Sequence, residues 1–168
     1  MKRREPFALE VGRGRPRLWG SVFPTDNGIA VILVGGDAPH VGAMAISIPR
    51  PSTADRRRVS PSTSVYCVVG HKDDELARAV AAALCRKLNA VVAVVAGVHI
   101  DRATPVEIRA VLRNGERAVA RILALLRPGL ARARRQPSGR PALRGMRQRH
   151  QRNDAIAGVS EQRSARII

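Results

Sequence analysis

The chain has 168 residues and a formal net charge of +17 at pH 7, with two cysteines and only 2% aromatic residues. This length predicts a single domain with its own core, and two cysteines exclude a disulfide framework. No apolar run approaches the roughly 18 residues that cross a bilayer, and no secretory leader is evident, so we expect no membrane span and a cytoplasmic location.

The positive charge is distributed unevenly. Residues 1–129 hold 20 Lys and Arg against 11 Asp and Glu, net +9, whereas residues 130–168 hold 10 against 2, net +8. The second segment lacks periodicity and is predicted to be a disordered, Arg-rich tail attached to a folded domain of residues 1–129. Charge that lies mainly in the tail, with few aromatic residues to stack on bases, makes nucleic-acid binding the least favoured reading.

The first part of the chain predicts strands, at Phe7 to Val11, Leu18 to Phe23, Ile29 to Val34, Val41 to Ile48 and Ser64 to Val69. The first two flank a glycine-bearing hairpin loop. The third is apolar at every position, which predicts that it is buried on both faces or central in the sheet. Prolines bracket the polar segment Arg50 to Thr63, which is predicted to be a lid or binding loop.

After Gly70 the apolar residues follow a helical instead of a strand-like spacing. Apolar residues recur every four positions from Leu76, behind three acids that would occupy the first turn of a helix. A strand is predicted from Val91 to Val98. Thr104, Pro105 and Glu107 then supply an N-cap, an N1 proline and a capping-box glutamate for a second helix.

The second helix is predicted to stop at Pro128-Gly129, and Gly115 within it suggests a close packing contact. The order of elements predicts an α+β fold, a mainly antiparallel sheet with two helices on one face. The other face of the sheet needs a cover. Because strands such as Ile29 to Val34 are apolar on both sides, association into a homodimer is a reasonable hypothesis.

Three histidines, His40, His71 and His99, each follow an apolar strand-like run. If those strands share a sheet, the imidazoles could converge on one edge with nearby aspartates, namely Asp37, Asp73, Asp74 and Asp101. Such a pocket could hold an anion or a metal, and zinc, manganese or iron would suit it better than calcium. Taken singly, each histidine is better explained by a structural role, and only their joint occurrence at strand ends favours a shared site.

The segment Gly70 to Leu76 takes a strand into a helix within a few residues. Free N–H groups at the helix start could bind a phosphate, helped by Lys72 and His71. The three acids nearby argue for an anion bridged by a cation rather than a bare one, and a plain capped helix explains the same pattern. His99 and Asp101 stand two apart, so they could share one ion, or the carboxylate could orient the imidazole; a simple loop hydrogen bond is the alternative.

The motifs of common enzymes are missing: there is no GxGxxG, GxxxxGK[ST], HExxH or GxSxG, and no nucleophile–base pair is evident. Two functions remain in contention. One is a non-catalytic cofactor-binding protein. The other is a metal-dependent, hydrolase-type enzyme in which the histidines and an aspartate leave an open metal position to activate water.

Three segments carry a family resemblance: GGDAPHVGAMAISIPRP from Gly35, GHKDDELA from Gly70 and GVHIDRAT from Gly97. In this order and spacing, over about residues 7–127, the chain resembles the prenylated-flavin chaperone family typified by the small D subunit of gallate decarboxylase (LpdD-like). The Arg-rich tail departs from the family pattern.

The resemblance implies a fold like that of the proteasome-assembly-chaperone domains, a dimer, and metal-assisted binding of reduced prenylated FMN for delivery to a UbiD-type decarboxylase. On this reading the cofactor contacts are the matching residues Gly36, Gly70, His71, Lys72 and Asp73. The implied ligands of a divalent metal are His40, His71, His99 and Asp101.

Overall fold

The computed structural model describes residues 5–70 and 72–133, of which 127–133 by their backbone alone. The tail predicted over 130–168 therefore lies almost wholly outside the described residues. The elements in chain order are β1 (Phe7–Val11), β2 (Leu18–Pro24), β3 (Gly28–Gly36), β4 (Ala43–Pro51), β5 (Val59–Cys67), α1 (Asp74–Leu88), β6 (Val91–His99) and α2 (Pro105–Ala133).

The described strands form one six-stranded sheet in the order β1-β2-β3-β6-β4-β5. Only β3 and β6 run parallel, and every other neighbouring pair is antiparallel. Strand β6 is inserted between β3 and β4, which are consecutive in sequence. The predicted α+β class and mainly antiparallel sheet are confirmed.

Both helices pack on the same face of the sheet, as predicted. The core between them is made of alternate strand residues and the apolar faces of the helices, including Leu18, Val31, Leu33, Val94, Leu84 and Ile122. Gly115 of α2 is buried, and a Cβ atom there would lie 2.7 Å from Leu76 Cδ1. This confirms that Gly115 marks the close contact between α1 and α2.

The opposite face of the sheet is apolar and open. Exposed side chains on it are Ile32, Met44, Ile46, Ile48 and Tyr66. The third strand is therefore not buried on both faces, because both helices cover one face and Ile32 is 43% exposed on the other. Its alternative prediction, a central position, is confirmed, because β3 lies between β2 and β6.

The predicted lid loop over Arg50 to Thr63 is also wrong. Strands β4 and β5 extend into it as a hairpin, with Pro49 opposite Pro61. A proline removes a backbone N–H, and this is tolerated here because β5 is an edge strand and the pairing of β4 with β6 already ends at Ser47. Only residues 52–58 remain as a loop.

Helix α2 continues to Ala133, so the predicted stop at Pro128-Gly129 is wrong. A proline deletes one N–H bond of a helix, and the remaining bonds of a 29-residue helix persist around it. Burial raises the pKa of the Cys85 thiol, while Cys67 is exposed and no disulfide joins them. Within the described residues, neither helix has an apolar stretch long enough to cross a membrane.

Candidate functional site at one edge of the sheet

Four chain segments meet where the parallel strands β3 and β6 end. Gly36, the last residue of β3, lies opposite His99, the last residue of β6. The segment with His40 leads into β4 from the same edge, because β4 is antiparallel to β6. Helix α1 begins here with Asp73 as its N-cap. The predicted convergence of His40, Asp73 and His99 is thus what the topology produces.

Asp73 is buried, with 7% of its surface exposed, and both of its carboxylate oxygens are engaged. Oδ1 accepts a hydrogen bond of 2.9 Å from the backbone N–H of Val98, and Oδ2 lies 3.2 Å from His40 Nε2. Strand β4 begins at Ala43, opposite Ala96, so it offers no carbonyl to Val98. The Asp73 carboxylate therefore supplies the hydrogen-bond acceptor that a neighbouring strand would otherwise provide.

Two glycines make room for this arrangement. A Cβ atom at Gly42 would lie 1.9 Å from Asp73 Oδ2, and one at Gly97 would lie 1.8 Å from the His40 carbonyl oxygen. Any larger residue at either position would displace the segment that carries His40. The glycines that flank this bend therefore serve close backbone approach, as the sequence suggested.

His99 and Asp101 form the second histidine–carboxylate pair. His99 Nε2 lies 2.9 Å from Asp101 Oδ1, with 52% and 78% of the two side chains exposed. The ring centroids of His40 and His99 are 6.3 Å apart, in an edge-on arrangement. The two pairs thus stand side by side, one buried and one open to solvent.

Arg15, in the loop between β1 and β2, binds the adjacent acids. Its guanidinium donates to both carboxylate oxygens of Asp37, to Glu107 Oε1 at 3.1 Å, and to the backbone carbonyl of Asp101. Asp37 Oδ2 also accepts from the backbone N–H of Asp101 at 3.0 Å. No local sequence signal marks Arg15, because its partners are 22 and 92 residues away.

These contacts set the charge state of the acids. The hydrogen bond from Arg15, followed by that from the Asp101 N–H, lowers the pKa of Asp37. The pKa of Glu107 is lowered mainly by hydrogen bonds from the backbone and side chain of Thr104. The predicted capping box of α2 is confirmed, and its glutamate also contacts Arg15.

The remaining predicted residues separate into three cases. Gly36 is packed inside the edge, where a Cβ atom would lie 2.0 Å from the His99 carbonyl oxygen. Gly70 and Lys72 are exposed at the approach to α1, and a Cβ atom at Gly70 would meet nothing within 4 Å. His71, which was predicted to contact both cofactor and metal, lies outside the described residues.

The described part of the chain contains no group of three or more His, Cys, Asp or Glu side chains placed to hold a metal ion. The donors that do meet are bonded in pairs, His40 with Asp73 and His99 with Asp101. On these residues alone, the edge of the sheet does not fit a metal.

Comparison with known proteins adds a family and a fold likeness. Residues 12–127 match the family model described as the prenylated flavin chaperone LpdD-like domain. Among solved structures, the chain is similar to one from the crystal structure of a novel chaperone complex for yeast 20S proteasome assembly. The two share 17% sequence identity over 75% of this chain and 97% of that chain, with a TM-score of 0.48. No curated protein matches the sequence.

The hydrogen bonds of the Asp73 carboxylate predict that replacing this residue lowers the stability of the fold. Replacing Asp73 with Ala leaves the Val98 N–H without its acceptor, which should lower the free energy of unfolding by about 1–3 kcal/mol. Asp74→Ala removes the same charge from the same helix turn, where its side chain makes no hydrogen bond to the described residues, and should cost less than about 1 kcal/mol. Urea unfolding followed by circular dichroism measures both, and equal losses would contradict the role of Asp73.

The Arg15–Asp37 pair predicts a pH dependence. Because the folded pKa of Asp37 lies below its ordinary value of 3.8, the carboxylate contributes stability above pH 3.8 that is lost as the pH falls through the folded pKa. Arg15→Gln should therefore be less stable than the parent chain at pH 7, with the gap narrowing below about pH 4. Urea unfolding from pH 7 to 3 tests this, with Arg78→Gln as a control. A gap independent of pH would refute it.

Proposed function

This chain belongs to the prenylated flavin chaperone LpdD-like family, and we propose that it binds reduced prenylated FMN without turning it over and delivers it to a UbiD-type decarboxylase. The proposed binding site is the edge of the sheet where β3 and β6 end. A cytoplasmic location belongs to the same proposal, since the client is expected to be an enzyme of that compartment.

The convergence of His40, Asp73 and His99 beside an exposed apolar rim supports this site most directly. Val41, Val68 and Val69 are all exposed next to the histidines, and Val69 is 96% exposed. The rim is held in place because the Val68 N–H donates to the Gly42 carbonyl at 2.8 Å. Apolar walls with a few convergent polar groups are typical of cofactor sites. We propose that the valines cover the flavin ring and its prenyl-derived ring.

The start of α1 suits the phosphate of the cofactor. The N-terminus of a helix attracts anions through its free N–H groups and its dipole. Lys72 is exposed there, and the Asp73 carboxylate faces inward to Val98 and His40. Asp74 and Glu75 lie in the same first turn, so a phosphate there would need Lys72 or a bridging cation to offset their negative charge. Gly70 leaves the approach open.

The proposed metal assistance rests on a ligand set that the described residues do not complete. His40 pairs with Asp73 and His99 pairs with Asp101, and the fourth predicted ligand, His71, lies outside the described residues. The metal-ligand role of His40, His71, His99 and Asp101 therefore stays a prediction. Cofactor binding as proposed here uses the helix start, Lys72 and the apolar rim.

The open apolar face of the sheet supports a homodimer. Its exposed residues Met44, Ile46 and Ile48 are the outward positions of β4, where a solvated strand would carry polar side chains. Contiguous exposed apolar surface of this kind marks association sites. A second copy is the occupant we propose, because the resemblance implies a dimer.

Binding is tested by anaerobic titration of reduced prenylated FMN into the full chain. Lys72→Gln should weaken binding about tenfold, because a charged hydrogen bond to phosphate contributes about 1.5–3 kcal/mol. Lys87→Gln removes the same charge from the last turn of α1 and should leave the affinity unchanged. Transfer is tested by restoring activity to a UbiD-type apo-decarboxylase with the loaded protein.

The same titration separates the alternatives. Equal affinities for the two lysine variants would refute the phosphate position, and absence of binding to the parent chain would refute the chaperone function. Repeating it with manganese or zinc, with a chelator, and with His71→Ala tests metal assistance. Metal-dependent turnover of a substrate without flavin binding would favour the hydrolase-type enzyme.

The dimer is tested by light scattering at micromolar concentration. The parent chain should have twice the mass of one chain, and Ile46→Lys should reduce it to a monomer by placing a charge in the apolar face. Ile108→Lys, at an exposed position on α2, is the matched control and should remain dimeric. A monomeric parent chain would remove the proposal.

A further inference from the structure

A second polar cleft lies away from the histidines, between the β1–β2 loop and the middle of α2. It has a volume of about 460 Å³ and is lined by Gly12, Arg13, Pro16, Ala110, Arg113, Asn114 and Arg117. This volume falls within the roughly 300–1,000 Å³ of small-molecule sites. None of these residues belongs to the proposed flavin site.

The two walls of the cleft are fastened together. Asn114 is 3% exposed, and its Nδ2 donates to the Pro16 carbonyl at 2.8 Å. Gly12 lies directly against this amide, since a Cβ atom there would be 2.3 Å from Asn114 Nδ2. The loop is therefore held at a fixed position on the helix, which gives the cleft a defined shape before any ligand binds.

Among the described residues, no acidic side chain neutralises the charge of the cleft. In the part of the chain that the structure describes, no carboxylate pairs with Arg13, Arg113 or Arg117, whereas Arg15 and Arg17 of the same loop both have acidic partners. Arg117 is oriented by a 3.1 Å hydrogen bond from its Nη1 to Asn114 Oδ1.

The proximity of these arginines makes the cleft electrostatically unfavourable when no anion is bound. Arg113 and Arg117 are four residues apart on one helix face, a spacing at which like charges repel. An anion between them would relieve the repulsion. Guanidinium groups bind phosphate oxygens in a planar, bidentate fashion, and three of them match the charge and the oxygens of a phosphate group.

We propose that this cleft binds the phosphate group of a small phosphorylated molecule. Arg13 contributes from the loop and Arg113 and Arg117 from the helix, while Asn114 holds both walls in register. This site does not depend on the proposed flavin function, because it shares no residue with the edge of the sheet.

The test titrates the full chain with inorganic phosphate and with diphosphate by calorimetry, in chloride buffer of matched ionic strength. Arg113→Gln and, separately, Arg13→Gln should weaken binding at least tenfold. Arg109→Gln, on the same helix but outside the cleft, removes the same charge and should leave the affinity unchanged. Thermal melting confirms that each variant is folded, and the loop variant Arg13→Gln preserves the test if a helix variant is not.

Three outcomes would overturn the proposal: no binding to the parent chain, equal weakening in Arg109→Gln, or unchanged affinity in both Arg113→Gln and Arg13→Gln. Equal weakening would mean that phosphate responds only to the overall positive charge. Since flavin is absent from this experiment, its failure leaves the proposed chaperone function untouched, and failure of flavin binding leaves the arginine cleft untouched.

Discussion

One buried carboxylate organises the edge of the sheet. Asp73 accepts from the N–H of Val98 near the end of β6, lies within hydrogen-bond distance of the His40 ring and occupies the N-cap position of α1 without a side-chain capping bond. A buried N–H without an acceptor costs about 1–3 kcal/mol, so the position of this side chain is strongly constrained. Gly42 and Gly97 have no side chains because the carboxylate and the His40 backbone occupy the space that a Cβ would need. Asp73 therefore links the start of α1 to the end of β6. The solvent-exposed His99 lies beside this link.

Paired and unpaired charges lie on different surfaces on either side of the β1–β2 loop. Acidic groups and Arg15 form a compact network around the ends of β3 and β6, in which the arginine satisfies Asp37 and Glu107. Arg13 of the same loop and Arg113 and Arg117 of α2 line a cleft. These three arginines have no carboxylate partner among the described residues. Two chemically different surfaces thus share the β1–β2 loop. A neutralised network tends to hold structure, whereas unneutralised charge is available for ligands.

The starts of both helices and the edge of the sheet where the histidines meet were predictable from local sequence. The acids before Leu76 and the Thr104-Pro105-Glu107 cap fixed both helix starts, and the histidines after apolar runs pointed to one edge. What failed depended on tertiary context. Prolines at positions 49 and 61 suggested a loop, but the unpaired sides of β4 and β5 accommodate them in a hairpin. The apolar third strand predicted burial on both faces or a central position; the strand is central, but whether its second face is covered depends on where helices pack. Arg15 could not be found, because its importance lies in partners that are distant in sequence.

The insertion of β6 between β3 and β4 also determines the order in which the molecule can assemble. The first three strands form one meander, β4 and β5 form a separate hairpin, and β6 alone joins them in the described sheet. Until residue 99 has been synthesised and has entered the sheet, both halves expose unpaired apolar edges, and closing the gap requires contacts that are distant along the chain. Because Val98 and His99 lie at the end of this last strand, the proposed binding edge and the complete sheet both require β6 to be in place. A chain in which β6 has not yet paired therefore has neither.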